Sequence, residues 1–206
     1  MAEVKIEQMD NMQFDVLREI GNIGAGNATT ALSQMLSAKV DMKVPKIELL
    51  EFQELAELIG GAENIVVGIL LTLQDDIDGM MMFLLEKTSA KNIVRMLMGG
   101  YGDSGEEEFS EMELSAMQEI GNIIAGAYLS SLSTLTNLTI TSSVPYMAID
   151  MAGAILSVPA IEFGKVSDKA LLIQTEFGDE GTEVNGYFIL IPTLESYSRI
   201  LTSLGL

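Results

Sequence analysis

A chain that repeats itself in register must adopt a fold that uses the same segment twice, and this chain does so. Glu19-Ile20-Gly21-Asn22-Ile23 returns as Glu119-Ile120-Gly121-Asn122-Ile123, and a proline follows each Asn after 22 intervening residues, at Pro45 and Pro145. Asp15 stands four positions before the first Glu, and Ser115 four before the second. Aligned without gaps, segments 15–45 and 115–145 agree at eleven of 31 positions: Glu19, Ile20, Gly21, Asn22, Ile23, Ala25, Gly26, Leu32, Ser33, Val44 and Pro45 with their counterparts. Core packing alone would repeat Ile and Ala; it gives no reason to repeat a Glu and an Asn.

The repeat resumes downstream at a changed offset. Gly79 to Leu85 aligns with Gly186 to Pro192, and a helical tail follows each, Ser89 to Leu97 and Ser196 to Leu204. Each half reads as helix, strands, strand, helix. Strands are expected at Lys39–Val44, Ile47–Glu51, Ile65–Leu73, Gly79–Leu85, Leu138–Ser143, Ile155–Val158, Ala170–Thr175 and Tyr187–Ile191, with a hairpin turn at Asp76 to Gly79. Ser110 with Glu113 predicts a capping box opening the second long helix, and Asp10 with Gln13 a similar start for the first. The expected fold is α+β: an antiparallel sheet backed by two repeated long helices, with a pseudo-two-fold as the spatial consequence of duplication. The expected domain is 1–206, built of repeats at about 10–99 and 110–206 and joined by a glycine-rich acidic stretch at about 99–110.

Composition narrows the chemistry by exclusion. A net charge of −19 repels phosphate backbones and anionic membrane surfaces. No apolar run approaches the ~18 residues that span a bilayer, and the N-terminus lacks a signal-peptide layout, so a cytoplasmic protein is expected. With no histidine and no cysteine, a Ser-His triad, a His-containing zinc site and a thiol nucleophile are all excluded. Chemistry here uses carboxylates, amides, hydroxyls or lysine, or groups borrowed from a partner. The 14 methionines could furnish an adaptable binding surface, yet most sit in apolar strands or on helix core faces, which favours core filler.

On a helical wheel at ~100° per residue, with Asp15 at 0°, Glu19 falls near 40°, Asn22 near −20° and Gly26 near 20°. Leu17, Ile20, Gly24, Ala28, Ala31 and Met35 gather on the other side. Ser115, Glu119, Asn122 and Gly126 repeat the polar stripe, with Met117, Ile120 and Ile124 inside. A Glu and an Asn on an exposed helix face ordinarily just solvate it. Two features weigh against that here. Drift after duplication scrambles a merely solvated face first, and glycine inside a helix costs about 1 kcal/mol relative to alanine. A position without a side chain beside Glu and Asn lets another backbone come close. Two copies of one working site are the expectation.

Other readings fit less well. Gly21 to Gly26 lacks the preceding strand, the spacing and the lysine of a phosphate-binding loop. Asp15 with Glu19 on one exposed face lacks the cleft that acid–base catalysis by a carboxylate pair needs. No loop carries the alternating acidic pattern of a calcium site.

The spacing [Asp/Ser]-x-x-x-Glu-x-x-Asn-x22-Pro, present twice, resembles the CheC/FliY/CheX family of chemotaxis phosphatases. The resemblance covers essentially the whole chain and implies a single CheC-like domain. It implies hydrolysis of the aspartyl phosphate on the response regulator CheY, with Glu19 and Asn22 forming one catalytic site and Glu119 and Asn122 the other. Asp15, Ser115, Gly26, Gly126, Pro45 and Pro145 would support the motif, the prolines by shaping a strand end. It further implies no cofactor of the chain's own, Mg²⁺ being supplied by the regulator. Binding of the receptor deamidase CheD is implied too, with Asp150 in the segment 148–152 as a candidate contact. The alternative is a mainly non-catalytic adaptor of the chemotaxis and flagellar switch system.

Overall fold

The computed structural model describes residues 11–36, 41–98, 108–163, 169–179 and 182–205. Two helices of 26 residues open the two halves, α1 (Asn11–Leu36) and α4 (Glu111–Thr136). After α1 come β1 (Asp41–Glu51), α2 (Phe52–Leu58), β2 (Ile65–Asp75), β3 (Gly79–Glu86) and α3 (Lys87–Leu97). After α4 come β4 (Ile140–Ser142), β5 (Tyr146–Met151), α5 (Ala152–Phe163), β6 (Lys169–Asp179), β7 (Thr182–Pro192) and α6 (Leu194–Ser203).

The seven strands form one antiparallel sheet in the order β1-β6-β7-β3-β2-β4, with β5 also on β2. The halves exchange strands. The first half's β1 pairs with the second half's β6, while β4 and β5 pair with the first half's β2. At the centre, where β3 meets β7, Met82 faces Ile189, each standing three residues after its repeat glycine, Gly79 or Gly186. A residue opposite its own counterpart in an antiparallel ladder is what a two-fold normal to the sheet requires. The pseudo-symmetry inferred from duplication is thus written in the strand register.

Both faces of the sheet are covered. Met81, Phe83 and Leu85 of β3 join Val67, Ile69 and Leu71 of β2 beneath α1 and α4. Met80, Met82 and Leu84 point the other way, against Leu55, Ala56 and Ile59 at α2 and Ala152, Ile155 and Leu156 of α5. Double coverage explains why β3 reads as an unbroken apolar run rather than an alternating one.

Several sequence expectations need correction. Ile155–Val158, expected as a strand, lies within α5. Its β-branched residues are overridden by docking: Ile155 fills the space over Gly68, where an added Cβ would lie 2.9 Å from Ile155 Cγ2. The amides of Ala152 and Gly153 donate to the carbonyls of Asn64 and Ala62, at 2.8 and 2.9 Å, and so seat the first turn. The segments Lys39–Val44 and Ile47–Glu51 are one strand, β1, whose register shifts between Lys43 and Lys46 around Pro45; residues 39–40 lie outside the described residues. The expected strand Leu138–Ser143 shortens to β4, and β5 and α2 were not anticipated. The start of the first helix at Asp10, and most of the joint (99–107), lie outside the described residues.

The predicted capping box of α4 is present. Ser110 Oγ accepts from the Glu113 amide at 3.3 Å, and Glu113 Oε2 accepts from the Ser110 amide at 2.7 Å. Glu113 is buried, 2% exposed, and its other oxygen accepts from Lys91 Nζ at 2.9 Å. Burial alone would raise this carboxyl's pKa; hydrogen bonds from Ser110 and Lys91 overcome it and hold the group below its ordinary value of 4.5. A lowered folded-state value means the stabilisation is complete above pH 4.5 and is lost as pH falls through the folded value. Glu113→Gln is expected to cost about 1–3 kcal/mol at neutral pH. The gap between variant and parent in urea unfolding should narrow below pH 4.5; a gap independent of pH would show that the charge contributes nothing.

Candidate functional site

The two long helices meet at a close approach that exchanges bulk between the repeats. An added Cβ on Gly24 would lie 2.8 Å from Tyr128 Cδ1, and the Tyr128 ring stacks on Phe188 at a centroid distance of 4.5 Å. The counterparts are Ile124 and Ala28, both buried. The residue types are thus exchanged between the copies, Gly with Tyr at one pair of positions and Ile with Ala at the other, in keeping with the absence of a glycine at 124. Asn27 Nδ2 donates to Ser131 Oγ at 3.0 Å, and that hydroxyl donates to the Ala127 carbonyl at 2.8 Å. One helix is thereby tied to the other.

The repeated pentapeptide divides into an inner and an outer part. Ile20 and Ile120 are buried. Gly21 and Gly121 let the helices settle on the sheet: a Cβ would lie 3.3 Å from Ile47 Cδ1 at the first and 2.5 Å from Ile69 Cδ1 at the second. Glu19, Asn22, Glu119 and Asn122 are exposed. No hydrogen bond or ion pair among the described residues engages any of these four side chains. The inner residues are therefore explained by packing and the outer ones are not. With the inner faces fixed, the direction in which each amide and carboxylate projects is set by the backbone rather than by a side-chain network.

The other residues singled out from the sequence take varied positions. Asp15 is exposed and paired with Arg18, one turn on; Ser115 and Gln118 are the exposed counterparts. Gly26 and Gly126 lie on the same outer stripe, and an added Cβ would meet nothing within 4 Å at either. Pro45 sits at the register shift of β1, and Pro145 in the gap between β4 and β5, so neither stands within a continuous stretch of ladder that would need its N–H. Neither belongs to the helix stripe. Asp150 is exposed on β5, where its carboxylate accepts from the Met151 amide at 2.7 Å.

Reading the methionines mainly as core filler leaves one recurrent pair unexplained. Met80, Met81, Met82 and Met117 are buried, but Met12 and Met112 are 63% and 65% exposed. They stand at equivalent repeat positions, and Met12 falls near 60° on the wheel, beside Glu19. The signal that could have found them was the one that found Glu and Asn: identity at the same offset, on the same stripe. Among the described residues no cluster of acidic side chains converges to hold a metal ion, and no helix is long and apolar enough to cross a membrane.

The chain is similar to known proteins over nearly its whole length. The profile of the CheC-like family matches residues 12–49 and 112–147, the two segments that carry the stripes. The chain is 37% identical over 199 residues to the CheY-P phosphatase CheC of Bacillus subtilis, covering 94% of each. Among solved structures, FliY of Thermotoga maritima superposes with a TM-score of 0.76 at 24% identity, over 96% of this chain and 98% of that one. The FliM middle domain of H. pylori superposes at 0.65 and 12% identity, over 95% and 99%. At such identities the superpositions speak for the fold alone.

Proposed function

This chain belongs to the CheC-like family, and from that premise we propose that it is a phosphatase that hydrolyses the aspartyl phosphate of the phosphorylated response regulator CheY. The observation that carries the reading is the pair of Glu/Asn sites, exposed and without a hydrogen bond or ion pair to any described residue, at equivalent places on two helices whose other faces are locked into the core. An acyl phosphate is already activated; its hydrolysis mainly lacks a water held in line with the leaving carboxylate. An amide both donates to and accepts from a water. Asn22 or Asn122 orients that water beside the phosphorus, supplying position without a nucleophile or metal of its own. Glu19 or Glu119, one turn earlier on the same stripe, grips a cationic group of the regulator and docks the amide. The regulator brings the Mg²⁺ and the phosphorylated Asp. Hydrolysis breaks the P–O bond of the acyl phosphate, water oxygen joins phosphorus, and inorganic phosphate leaves with the Asp carboxylate restored. Asp15, Ser115 and the two stripe glycines support this contact, and the work takes place in the cytoplasm.

A second duty, binding the deamidase CheD, rests on Asp150, an exposed acid on a different element from either stripe. The test of the primary reading is the decay of phosphate from labelled CheY with and without this chain. Acceleration at catalytic amounts is expected. Unchanged decay, with CheD still bound, would leave a non-catalytic adaptor.

A further inference from the structure

The charged residues flanking the two Glu/Asn pairs differ, and the apolar ones do not. Asp15 and Arg18 flank Asn22 in the first copy; their counterparts are Ser115 and Gln118, and the second copy adds Glu111, all of them exposed. On the wheel these positions lie on the amide's side of each Glu, from about 0° to about −60°. The other side of each Glu is apolar. Met12 stands at about 60° and Ile23 at about 80°, next to Glu19 at about 40°, and Met112 and Ile123 take the same places beside Glu119. Met12 and Met112 are 63% and 65% exposed, and Ile23 and Ile123 are half-buried. A single exposed methionine needs no explanation. The same methionine, equally exposed and seven residues before the same Glu on both helices, is one feature made twice.

We propose that Met12 and Met112, continued by Ile23 and Ile123, form an apolar docking flank that takes an apolar side chain of the phosphorylated regulator and closes over the ion pair made by Glu19 or Glu119. The proposal rests on the phosphatase reading above and names what makes its docking contact strong enough to position the amide. An ion pair between exposed groups is worth little, because water and salt screen it. The same pair under an apolar cover loses that screening and gains strength. Glu19 and Glu119 are exposed in the free protein, so the cover forms only in the complex, and the apolar residues beside each Glu are placed to complete it. Methionine suits the part, being unbranched and adaptable to a partner's surface. Neither methionine touches a reacting atom; each is a specificity-determining contact.

The experiment uses the Asn122→Ala protein, in which only the first site acts on labelled CheY phosphate. Met12→Gln keeps the length of the side chain and removes its apolar character. It is expected to raise KM about fivefold with kcat little changed, the size expected for covering roughly half of a methionine side chain. Met12→Leu, the conservative change, is expected to lose less. A leucine variant as impaired as the glutamine one, or an unchanged KM in Met12→Gln, would overturn the proposal. Ile161→Gln alters an apolar residue, 72% exposed, on α5 across the sheet, and should leave KM unchanged; a matching rise there would make the effect one of general surface hydrophobicity and overturn the flank as well. Glu19→Gln should cost less in a protein already carrying Met12→Gln, whose ion pair is no longer covered; additive losses would overturn the covering role. Failure of the phosphatase reading looks different: the Asn122→Ala protein would then accelerate decay no more than the same protein carrying Asn22→Ala. The flank is in that case read by titrating the full chain with phosphorylated CheY. Met12→Gln/Met112→Gln should raise Kd about fivefold or more, and an unchanged Kd would overturn the proposal. Circular dichroism of each variant separates these outcomes from loss of the helix.

Discussion

Replacing Asn22 and Asn122 together by alanine is expected to abolish acceleration of CheY dephosphorylation while leaving the protein folded. Both amides are exposed and make no hydrogen bond with described residues, so their removal takes nothing from the core. Alanine is also the better helix former, and unfolding free energy should stay within about 0.5 kcal/mol of the parent or rise. Catalysis is another matter. A hundredfold acceleration corresponds to about 2.7 kcal/mol of barrier, all of which the proposed mechanism assigns to water positioning by these amides. The expected signature is therefore loss of about two orders of magnitude in turnover with binding of the phosphorylated regulator preserved through Glu19 and Glu119. Single replacements then divide the work between the sites. Collapse of the circular dichroism spectrum in the double variant would instead make these residues structural, and turnover that survives it would remove the mechanism.

The contrast between inner and outer residues also explains what could be read from the sequence. Glu19 and Asn22 were legible because two independent regularities coincide on them, the helical period and the 100-residue repeat. The capping box at Ser110 and Glu113 was legible because it is local, with both partners within four residues. The exchange of β1 and β5 between halves was not, because duplication fixes which segments are equivalent and leaves open which copy pairs with which. Helix α5 was misread for a related reason. Ile155, Leu156 and Val158 favour a strand locally, and the helix exists because Gly68 leaves room for Ile155 on the sheet and Gly153 lets the first turn lie close against Ala62. Met12 and Met112 were passed over because methionine was read by residue type, although their place in the repeat set them apart.

The stripe glycines give the second large effect, with stability and activity moving in opposite directions. A Cβ on Gly26 or Gly126 would meet nothing within 4 Å, so no contact inside the molecule requires a glycine at either position. Each has helical backbone and neither has a positive φ, so conformational freedom does not require one either. Each nonetheless weakens its helix by about 1 kcal/mol relative to alanine. Contrast Gly24, where Tyr128 already occupies the space a side chain would take. What remains is approach from outside: a partner backbone or phosphorylated loop passing over the stripe one turn beyond each Asn. Gly26→Ala and Gly126→Ala are thus expected to raise unfolding free energy by up to about 1 kcal/mol each. Gly26→Leu with Gly126→Leu should keep much of that stability and lose turnover at least tenfold by blocking contact, which places the loss in KM or in regulator binding measured by titration. A leucine pair that is stable and fully active would mean that the regulator never comes close to these glycines. The duplicated Gly would then need an explanation unconnected with docking, and the stripe would shrink to Glu and Asn alone.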